Sequence, residues 1–394
     1  MHAGHAPLPV SAPADVTIRA VIDGRLVQPV FQPIVDLATR RVVGMEALAR
    51  GPAGTTLEMP DRLFAAARAA GVVGELDLLC SERALECALA APVTPPLVFV
   101  NAEPGVMDQP LSPRLLELLL DGLPFREVLE FTERALPAVP GSLLHIAGLV
   151  QQWGHSLALD DVGVDPMSLA FLPVLEPEVI KLDMSLVRNP HSEHTRSVCA
   201  VVQSEARRTG AVVIAEGIET DDDLVAAREL GAHWGQGWLF GRPGTIEQHS
   251  SRFDPLAASV LRAPRPGFYE SAGGPFEIAA EHGTVAAATA DAVTAALSRL
   301  RALVADDTTI VVLASAPDDQ IPAVSTLLPE LADRARSAIL LDDTLDGEFA
   351  LVVIGAGYGY ALGVRSTTTI PELVTVEDIA TVAATARALL NRLS

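Results

Sequence analysis

Cysteine and aromatic residues are scarce in this chain of 394 residues. The three cysteines, Cys80, Cys87 and Cys199, are odd in number and form no C-x-x-C pair, a pattern that favours neither a disulfide framework nor a zinc site. No uninterrupted apolar run approaches the roughly 18 residues of a spanning helix, and residues 1–15 lack a basic start followed by an apolar core. These absences predict a cytoplasmic protein without a membrane segment.

Lysine is almost absent. Lys181 is the single lysine, which leaves 27 arginines among the 28 basic residues. Where nearly every cationic side chain is arginine, a surviving lysine is a candidate for chemistry that a guanidinium cannot perform, because the two side chains are not interchangeable. Chance is the alternative explanation.

Positive charge is also in deficit. The 28 basic residues face 50 acidic ones, a formal net charge of −22, which removes the usual electrostatic route to nucleic acid or to an anionic membrane. A phosphate-bearing ligand would need cations as intermediaries. Hydrophobic residues make up 49% of the chain and charged residues 20%, a balance that predicts folded domains with a real core.

Short apolar runs alternate with amphipathic helical stretches from residue 16 to about residue 262. About eight such units over roughly 250 residues are typical of a (β/α)8 barrel. We therefore predict an α/β fold with a TIM-like barrel. Its predicted strands are 29–35, 42–49, 97–100, 128–132, 156–159, 179–182, 211–215 and 234–240.

Polar residues stand at the ends of these predicted strands. Because the carboxyl ends of barrel strands share one face, we expect side chains that are far apart in sequence to converge on one pocket. They are Glu46, Asn101, Glu130, Asp160, Asp161, Lys181, Asp183, Glu216, Glu219 and Gln236.

Several carboxylates in one pocket would repel each other and raise each other's pKa values. Mg²⁺ or Mn²⁺ relieves that repulsion, because hard divalent cations favour carboxylate, carbonyl and water oxygens. The adjacent pair Asp160 and Asp161 suits a site for two ions, which promote in-line displacement at a phosphodiester. Arg50 offers a planar fork to a second phosphate, and Lys181 is a candidate to orient the attacking water. The alternative, acids neutralised by salt bridges, is disfavoured because few basic residues adjoin them.

At these positions the sequence resembles the EAL family, the phosphodiesterases specific for cyclic-di-GMP. The resemblance extends from residue 31 to residue 243 and rests on an ordered set of short motifs, which is far more specific than any one of them. The motifs are FQPI at 31–34, EALAR at 46–50, VN at 100–101, EFTE at 130–133, DD at 160–161, KLD at 181–183, AEGIE at 215–219, QG at 236–237 and LFGRP at 239–243.

The resemblance implies that this barrel uses two divalent ions, Mg²⁺ or Mn²⁺, to hydrolyse cyclic-di-GMP to linear pGpG. Lys181, Glu216 and Glu219 would be catalytic, with Lys181 on the attacking water and Glu216 considered as general base. Homodimerisation is a further expectation. The implied metal ligands are Glu46, Asn101, Glu130, Asp160, Asp161 and Glu216; the implied dinucleotide site is Gln32, Leu48 and Arg50 with Asp183 and Gln236; and Glu133 would anchor the loop after the fifth strand.

The loop after Asp161 departs from the family pattern. Family members usually continue with Phe-Gly, a further Gly, an aromatic and small polar residues, whereas residues 162–167 read VGVDPM. Pro166 restricts the backbone, and the lost glycine removes conformational freedom. Two functions stay open: an active phosphodiesterase, and a catalytically weak or inactive receptor for cyclic-di-GMP.

Composition changes after the barrel. We predict a tail at 1–15, a barrel domain at 16–262, a Pro- and Gly-rich linker at 263–274 and a smaller α/β regulatory domain at 275–394. This last unit resembles the DICT domain, a sensory module, at 309–313 and 348–362, although these apolar stretches fit buried strands of any α/β domain equally well. The sequence does not specify the signal it would sense. Its predicted helices are 286–304, 322–335 and 376–393, and its predicted strands are 309–314, 337–341 and 349–354.

Overall fold

Two bodies of secondary structure make up the protein, a closed barrel and a six-stranded sheet with helices. They confirm the predicted α/β class and the predicted order, a barrel followed by a smaller α/β domain. The structure is a computed structural model, and it describes residues 16–103, 109–132, 139–165, 167–305, 310–315, 322–341, 345, 347–368 and 370–393.

The barrel contains eight strands in sequential order. Strand β1 runs antiparallel to β2 and β8, and the remaining neighbours pair in parallel. The strands are β1 (Val30–Asp36), β2 (Val42–Leu48), β3 (Leu97–Asn101), β4 (Arg126–Thr132), β5 (Ser156–Val162), β6 (Val179–Leu182), β7 (Val212–Ala215) and β8 (Trp234–Gln236).

The antiparallel start has a local cause in a tight turn between β1 and β2. The Asp36 carboxylate accepts hydrogen bonds from the backbone N–H groups of Ala38 and Thr39, and Arg40 adopts a left-handed φ of 61°. An aspartate that bonds its own following backbone favours such a turn. The first unit of the barrel is therefore a hairpin rather than a strand and helix.

Helices cover the outside of the barrel. Several begin at a side-chain cap: Ser112, Ser192 and Thr220 each accept a hydrogen bond from a first-turn backbone N–H. The helices are α1 (Ile18–Asp23), α2 (Pro60–Ala70), α3 (Val73–Ala90), α4 (Pro113–Leu120), α5 (Pro140–Gln152), α6 (Met167–Leu175), α7 (Met184–Arg188), α8 (Glu193–Thr209), α9 (Asp221–Glu229) and α10 (Ala257–Val260).

Apolar side chains fill the lower part of the barrel interior. Ile34, Phe99, Val128 and Trp234 belong to one buried cluster there, while alternate residues of the same strands pack outward against the helices. This period-two alternation leaves the upper positions of the same inner face for polar residues.

The C-terminal unit is a sheet in the order β11-β10-β12-β13-β14-β9. Its strands are β9 (Thr284–Ala287), β10 (Val311–Ala314), β11 (Ser337–Leu340), β12 (Glu348–Gly355), β13 (Tyr358–Arg365) and β14 (Glu372–Val376). Its helices are α11 (Pro275–His282), α12 (Ala290–Leu303), α13 (Pro322–Arg334) and α14 (Ile379–Leu390).

Four predicted elements differ from the structure by three residues or more at one end. The strand predicted at 156–159 extends to Val162. The strand predicted at 234–240 ends at Gln236, because Gly237 has a φ of 155° and approaches the backbone of Ile218 too closely to allow a side chain. The helix predicted at 286–304 begins at Ala290, after edge strand β9. The helix predicted at 376–393 begins at Ile379, because Val376 ends strand β14.

The two bodies share one apolar core. Buried residues of α6 and of the C-terminal sheet and helices, among them Phe171, Val352 and Ala386, belong to a single cluster. The buried Arg387 of α14 donates hydrogen bonds to the carbonyl oxygens of Pro173 (3.3 Å) and Val174 (3.1 Å) at the end of α6. Among the described residues, no helix combines the length and apolar character needed to cross a bilayer.

Candidate metal centre

The upper ends of the barrel strands bring four predicted acidic side chains around Lys181. Its side chain is only 1% exposed, and its Nζ lies 2.9 Å from Oε1 of Glu130 and 2.9 Å from Oε1 of Glu216. Oδ1 of Asp160 lies 3.2 Å away and Oε2 of Glu46 lies 3.7 Å away. The strand-end positions in the sequence therefore converge in space.

Amide side chains form a second layer around Glu46. Nδ2 of Asn101 donates to Oε1 of Glu46 at 3.0 Å, and Nε2 of Gln236 donates to Oε2 at 2.5 Å. Gln236 also contacts Oε1 of Gln32 at 3.2 Å, and Gln32 donates to the carbonyl of Gly241 at 3.3 Å. These contacts fix the Glu46 carboxylate and bring Gln32 and Gln236 to the same site.

A bulge at the end of β5 places two successive carboxylates at the site. The pairing of β5 with β6 shifts register between Leu159 and Val162, and Asp161 adopts a left-handed φ of 55°. Bulges re-aim side chains in this way. As a result, one carboxylate oxygen from each of Asp160, Asp161 and Glu216 lies within 4.8 Å of the others.

The charges of the cluster shift its protonation equilibria strongly. Burial raises the pKa of Glu130 well above its usual range, and it raises the pKa of Glu216 to about 8 with a further contribution from Asp160. Burial alone would lower the pKa of Lys181, but the surrounding carboxylates raise it well above its usual value. Burial also opposes ionisation of Glu46, yet Lys181 and the Gln236 hydrogen bond lower the pKa of that carboxyl.

The donor set fits hard divalent cations. One ammonium faces four carboxylates, with Asp161 beside them, so negative charge is in excess. The buried oxygens of Glu130 and Oδ1 of Asp160 accept no hydrogen bond of good geometry from the described residues. Carboxylate and amide oxygens are the ligands that Mg²⁺ and Mn²⁺ prefer.

A cavity of about 400 Å³ opens beside the cluster. Leu48, Arg50, Asn101 and Asp161 are among its lining residues. The Arg50 guanidinium donates to its neighbouring carbonyl, that of Ala49, at 2.8 Å, and burial lowers its pKa. The volume lies within the range of roughly 300–1,000 Å³ that small-molecule sites occupy.

Residues 16–243 match the EAL domain family. The chain belongs to this family. This chain is similar to the probable cyclic di-GMP phosphodiesterase PdeB of Escherichia coli, with 31% identity over 232 residues that cover 57% of this chain and 44% of PdeB. It is also similar to the cyclic di-GMP phosphodiesterase NbdA of Pseudomonas aeruginosa, with 32% identity over 249 residues that cover 59% of this chain and 31% of NbdA. The chain thus matches less than half of the length of either relative.

Solved structures support the fold of the EAL barrel. The EAL domain of FimX from Pseudomonas aeruginosa, bound to c-di-GMP, has a TM-score of 0.50 and 19% identity, covering 58% of this chain and 94% of that one. The EAL enzyme Bd1971 has a TM-score of 0.51 and 22% identity, covering 59% of this chain and 66% of that one. The family assignment confirms the predicted EAL resemblance, while the DICT resemblance of the C-terminal unit stays a prediction.

Two predicted site residues, Asp183 and Glu219, lie outside the cluster around Lys181 and are not among the residues that line the neighbouring cavity. The Asp183 side chain caps helix α7 and accepts from the Ser185 N–H at 2.9 Å. Glu219 is exposed and forms an ion pair with Arg188 at 3.2 Å. Their assigned roles stay predictions, and Glu133 lies outside the described residues.

The cavity of about 400 Å³ beside the cluster is also lined by an acidic residue that the sequence analysis did not select. Asp77 of α3 is 3% exposed, and its Oδ2 accepts from the Glu103 N–H at 3.1 Å. Burial raises its pKa to about 8. The signal in the sequence is an aspartate among apolar residues on the buried side of a helix, which is costly unless the carboxyl is neutral or bonded.

Proposed function

We propose that the EAL barrel hydrolyses cyclic-di-GMP to linear pGpG in a reaction that depends on divalent cations. The observation that carries the proposal is the convergence of Glu46, Glu130, Asp160 and Glu216 on the single lysine of the chain. The names of the relatives PdeB and NbdA support the substrate class.

Glu46, Asn101, Glu130, Asp160, Asp161 and Glu216 would hold two Mg²⁺ or Mn²⁺ ions. When bound, these ions lower the pKa of water and neutralise charge on the phosphodiester. Lys181, held on all sides by carboxylates, would keep one fixed positive charge at the site and orient the attacking water. Burial raises the pKa of Glu216 to about 8 without cations, and bound cations would favour its ionised form, which would accept a proton from that water.

The neighbouring cavity would bind the rest of the dinucleotide. Arg50 presents a planar guanidinium suited to a phosphate that is not cleaved, and Leu48 offers an apolar surface to a base. Gln32 and Gln236 already contact each other beside Glu46, so they would position the substrate and the metal ligands together.

Incubation of the purified chain with cyclic-di-GMP and Mn²⁺ tests the proposal, with pGpG measured by chromatography. We expect steady accumulation of pGpG that stops when EDTA is added. Glu46→Ala should abolish turnover and leave the circular dichroism spectrum unchanged, because the Glu46 carboxylate bonds to polar side chains of the site. Unchanged product formation in this variant would overturn the proposal.

The altered loop after Asp161 favours a second candidate, a cyclic-di-GMP receptor with weak or no activity. In this loop Asp165 is engaged by an arginine of the C-terminal unit. Saturable binding of cyclic-di-GMP in the presence of Ca²⁺ or Mn²⁺ without pGpG would establish the receptor in place of the enzyme.

We also propose that the C-terminal unit regulates the barrel, and that the chain forms a homodimer. Two contacts support regulation: Arg336 pairs with Asp165 before helix α6, and Arg387 binds the carbonyl groups at its end. Helix α6 begins six residues after Asp161, so both ends of the element nearest to the paired aspartates are held by the C-terminal unit. Light scattering on the protein as it elutes from a size-exclusion column measures the oligomeric state.

A further inference from the structure

A second cavity, of about 220 Å³, lies outside the barrel and away from Lys181. It is enclosed by helices α3, α4 and α5 and by the outer face of strand β4. Most of its wall is apolar, with Leu78, Leu129, Ile146 and Leu149 only partly buried because the space in front of them is empty. A cavity of roughly 150 Å³ lined in this way holds a benzene-sized molecule, so this one has room for about nine or ten non-hydrogen atoms.

The cavity contains a carboxyl group, that of Glu127, for which the described part of the chain offers no partner. Glu127 points outward from β4, its residue is 6% exposed, and its carboxylate has no hydrogen bond or ion pair among the described residues. Burial raises its pKa to about 7. The described residues that line the cavity include neither arginine nor lysine, and His145 is their one basic residue.

Burial of a glutamate at such a position is unfavourable in free energy. Burial of a carboxyl without a partner costs free energy, whereas burial of an apolar side chain of the same size gains it, and buried acids are normally paired. Glu127 has no assigned part in the reaction proposed for the barrel. The described residues supply no partner for this carboxyl, and a bound ligand would provide one.

We propose that this cavity binds a small, mainly apolar amine, with its nitrogen bonded to the Glu127 carboxylate. The apolar wall accommodates an aryl or alkyl group, and the carboxylate selects a cationic nitrogen donor at the end of it. Asp77, whose residue also lines this cavity, adds a second acid to the wall. A carboxylic acid or a phosphate of the same size would face two acidic groups and is excluded.

The site is distinct from the proposed metal centre but adjacent to it. Asp77 and Ala102 line both this cavity and the 400 Å³ cavity beside the cluster. The proposal does not depend on hydrolysis of cyclic-di-GMP, and its test needs no activity measurement.

Binding of 2-phenylethylamine to the full chain tests the proposal, with 2-phenylethanol as the neutral probe of equal size. Ligand-detected NMR titrations near pH 8, where an alkylamine is protonated, give both dissociation constants. We expect the amine to bind about tenfold more tightly than the alcohol, because a charge-assisted bond is stronger than a neutral one.

Two variants locate the binding. Glu127→Gln keeps the size of the side chain and should reduce the preference for the amine to about twofold or less. Ile146→Trp fills the cavity and should abolish binding of both probes, with circular dichroism confirming that each variant is folded. Equal binding of the two probes by the unaltered chain, an undiminished amine preference in Glu127→Gln, or undiminished binding in Ile146→Trp would overturn the proposal.

Discussion

At the scale of single residues, Lys181 explains why one lysine occurs among 27 arginines. Its Nζ is within 3.7 Å of four carboxylates that approach from four strands or strand ends. A compact ammonium fits between them as a point charge, whereas the planar fork of a guanidinium needs donors spread over a wider area.

Replacement of Lys181 by Met should separate catalysis from metal binding. We expect pGpG formation to fall by about 10²- to 10⁴-fold, because a fixed charge beside the phosphoryl group is lost. Mn²⁺ affinity, measured by calorimetry, should stay equal or rise, since the carboxylates lose a competing cation. Lys181→Arg serves as the charge-retaining control, and loss of Mn²⁺ binding in Lys181→Met would contradict the assigned role.

Glu127 should make the protein less stable as the pH rises. Its pKa is about 7 in the folded state against roughly 4.3 in an unfolded chain. Between these values the unfolded chain loses the proton while the folded chain keeps it, so the free energy of unfolding falls. Glu127→Gln removes this loss. The variant's free energy of unfolding, relative to that of the unaltered chain, should therefore be about 1–2 kcal/mol higher at about pH 8.5 than at about pH 5.5.

Urea unfolding at both pH values measures this difference. Glu281→Gln, at an exposed position in α11, is the matched control and should give the same change in stability at both. A gain from Glu127→Gln that does not depend on pH would show that the carboxyl is not held neutral by burial.

The residues of the metal centre were predictable because each follows a recognisable strand. Glu46 and Glu130 stand near the end of an apolar run, and barrel geometry alone then places them together. Asp77 and Glu127 were not predictable in this way. Asp77 lies within a helix and Glu127 on the outer face of a strand, and neither position marks a site until the packing of the helices against the barrel is known.

At the scale of elements, the junction between β5 and α6 joins the site to the C-terminal unit. Oδ1 of Asp165 accepts from the Met167 N–H at 2.9 Å, so it caps α6, and its other oxygen pairs with Arg336 at 2.6 Å. The Arg336 side chain is 56% exposed, which limits the strength of this pair.

Arg336→Ala should therefore change the proposed reaction by a modest factor. We expect Mn²⁺ affinity or turnover to fall by about two- to fivefold, because an exposed ion pair contributes little free energy. The difference should shrink in high salt, which screens the pair. Arg301→Ala, which breaks another ion pair of an exposed arginine, with Glu330 in the C-terminal unit, is the control. Identical behaviour of the two variants would rule out coupling through Asp165.

The strands that sequence analysis missed lie in the C-terminal sheet. Strands β13 and β14 were not predicted, although β13 pairs with β12 along its whole length through a two-residue turn at Ala356 and Gly357. The last two residues of edge strand β9, both alanines, were assigned to the helix predicted at 286–304, because alanine has a helical propensity that pairing with β14 overrides. Within the barrel, six of the eight predicted strands agree with the structure to within two residues at each end, since their apolar runs are bounded by clear turns.

At the scale of the molecule, the continuous apolar core predicts that the two bodies unfold together. The three tryptophans, Trp153, Trp234 and Trp238, all lie in the barrel, so fluorescence reports the barrel alone while circular dichroism reports the whole chain. We expect the two thermal midpoints to coincide within about 2 °C. Two separate transitions would show that the shared core does not couple them.

Several acidic residues of this acidic chain meet at one place, the cluster around Lys181. The central claim is that Glu46, Asn101, Glu130, Asp160, Asp161 and Glu216 hold divalent cations. Anomalous diffraction from crystals grown with Mn²⁺ tests it most directly. We predict two Mn²⁺ peaks coordinated by these oxygens; absence of Mn²⁺ from the cluster at saturating concentration, with the carboxylates neutralised by Lys181 alone, would contradict the account.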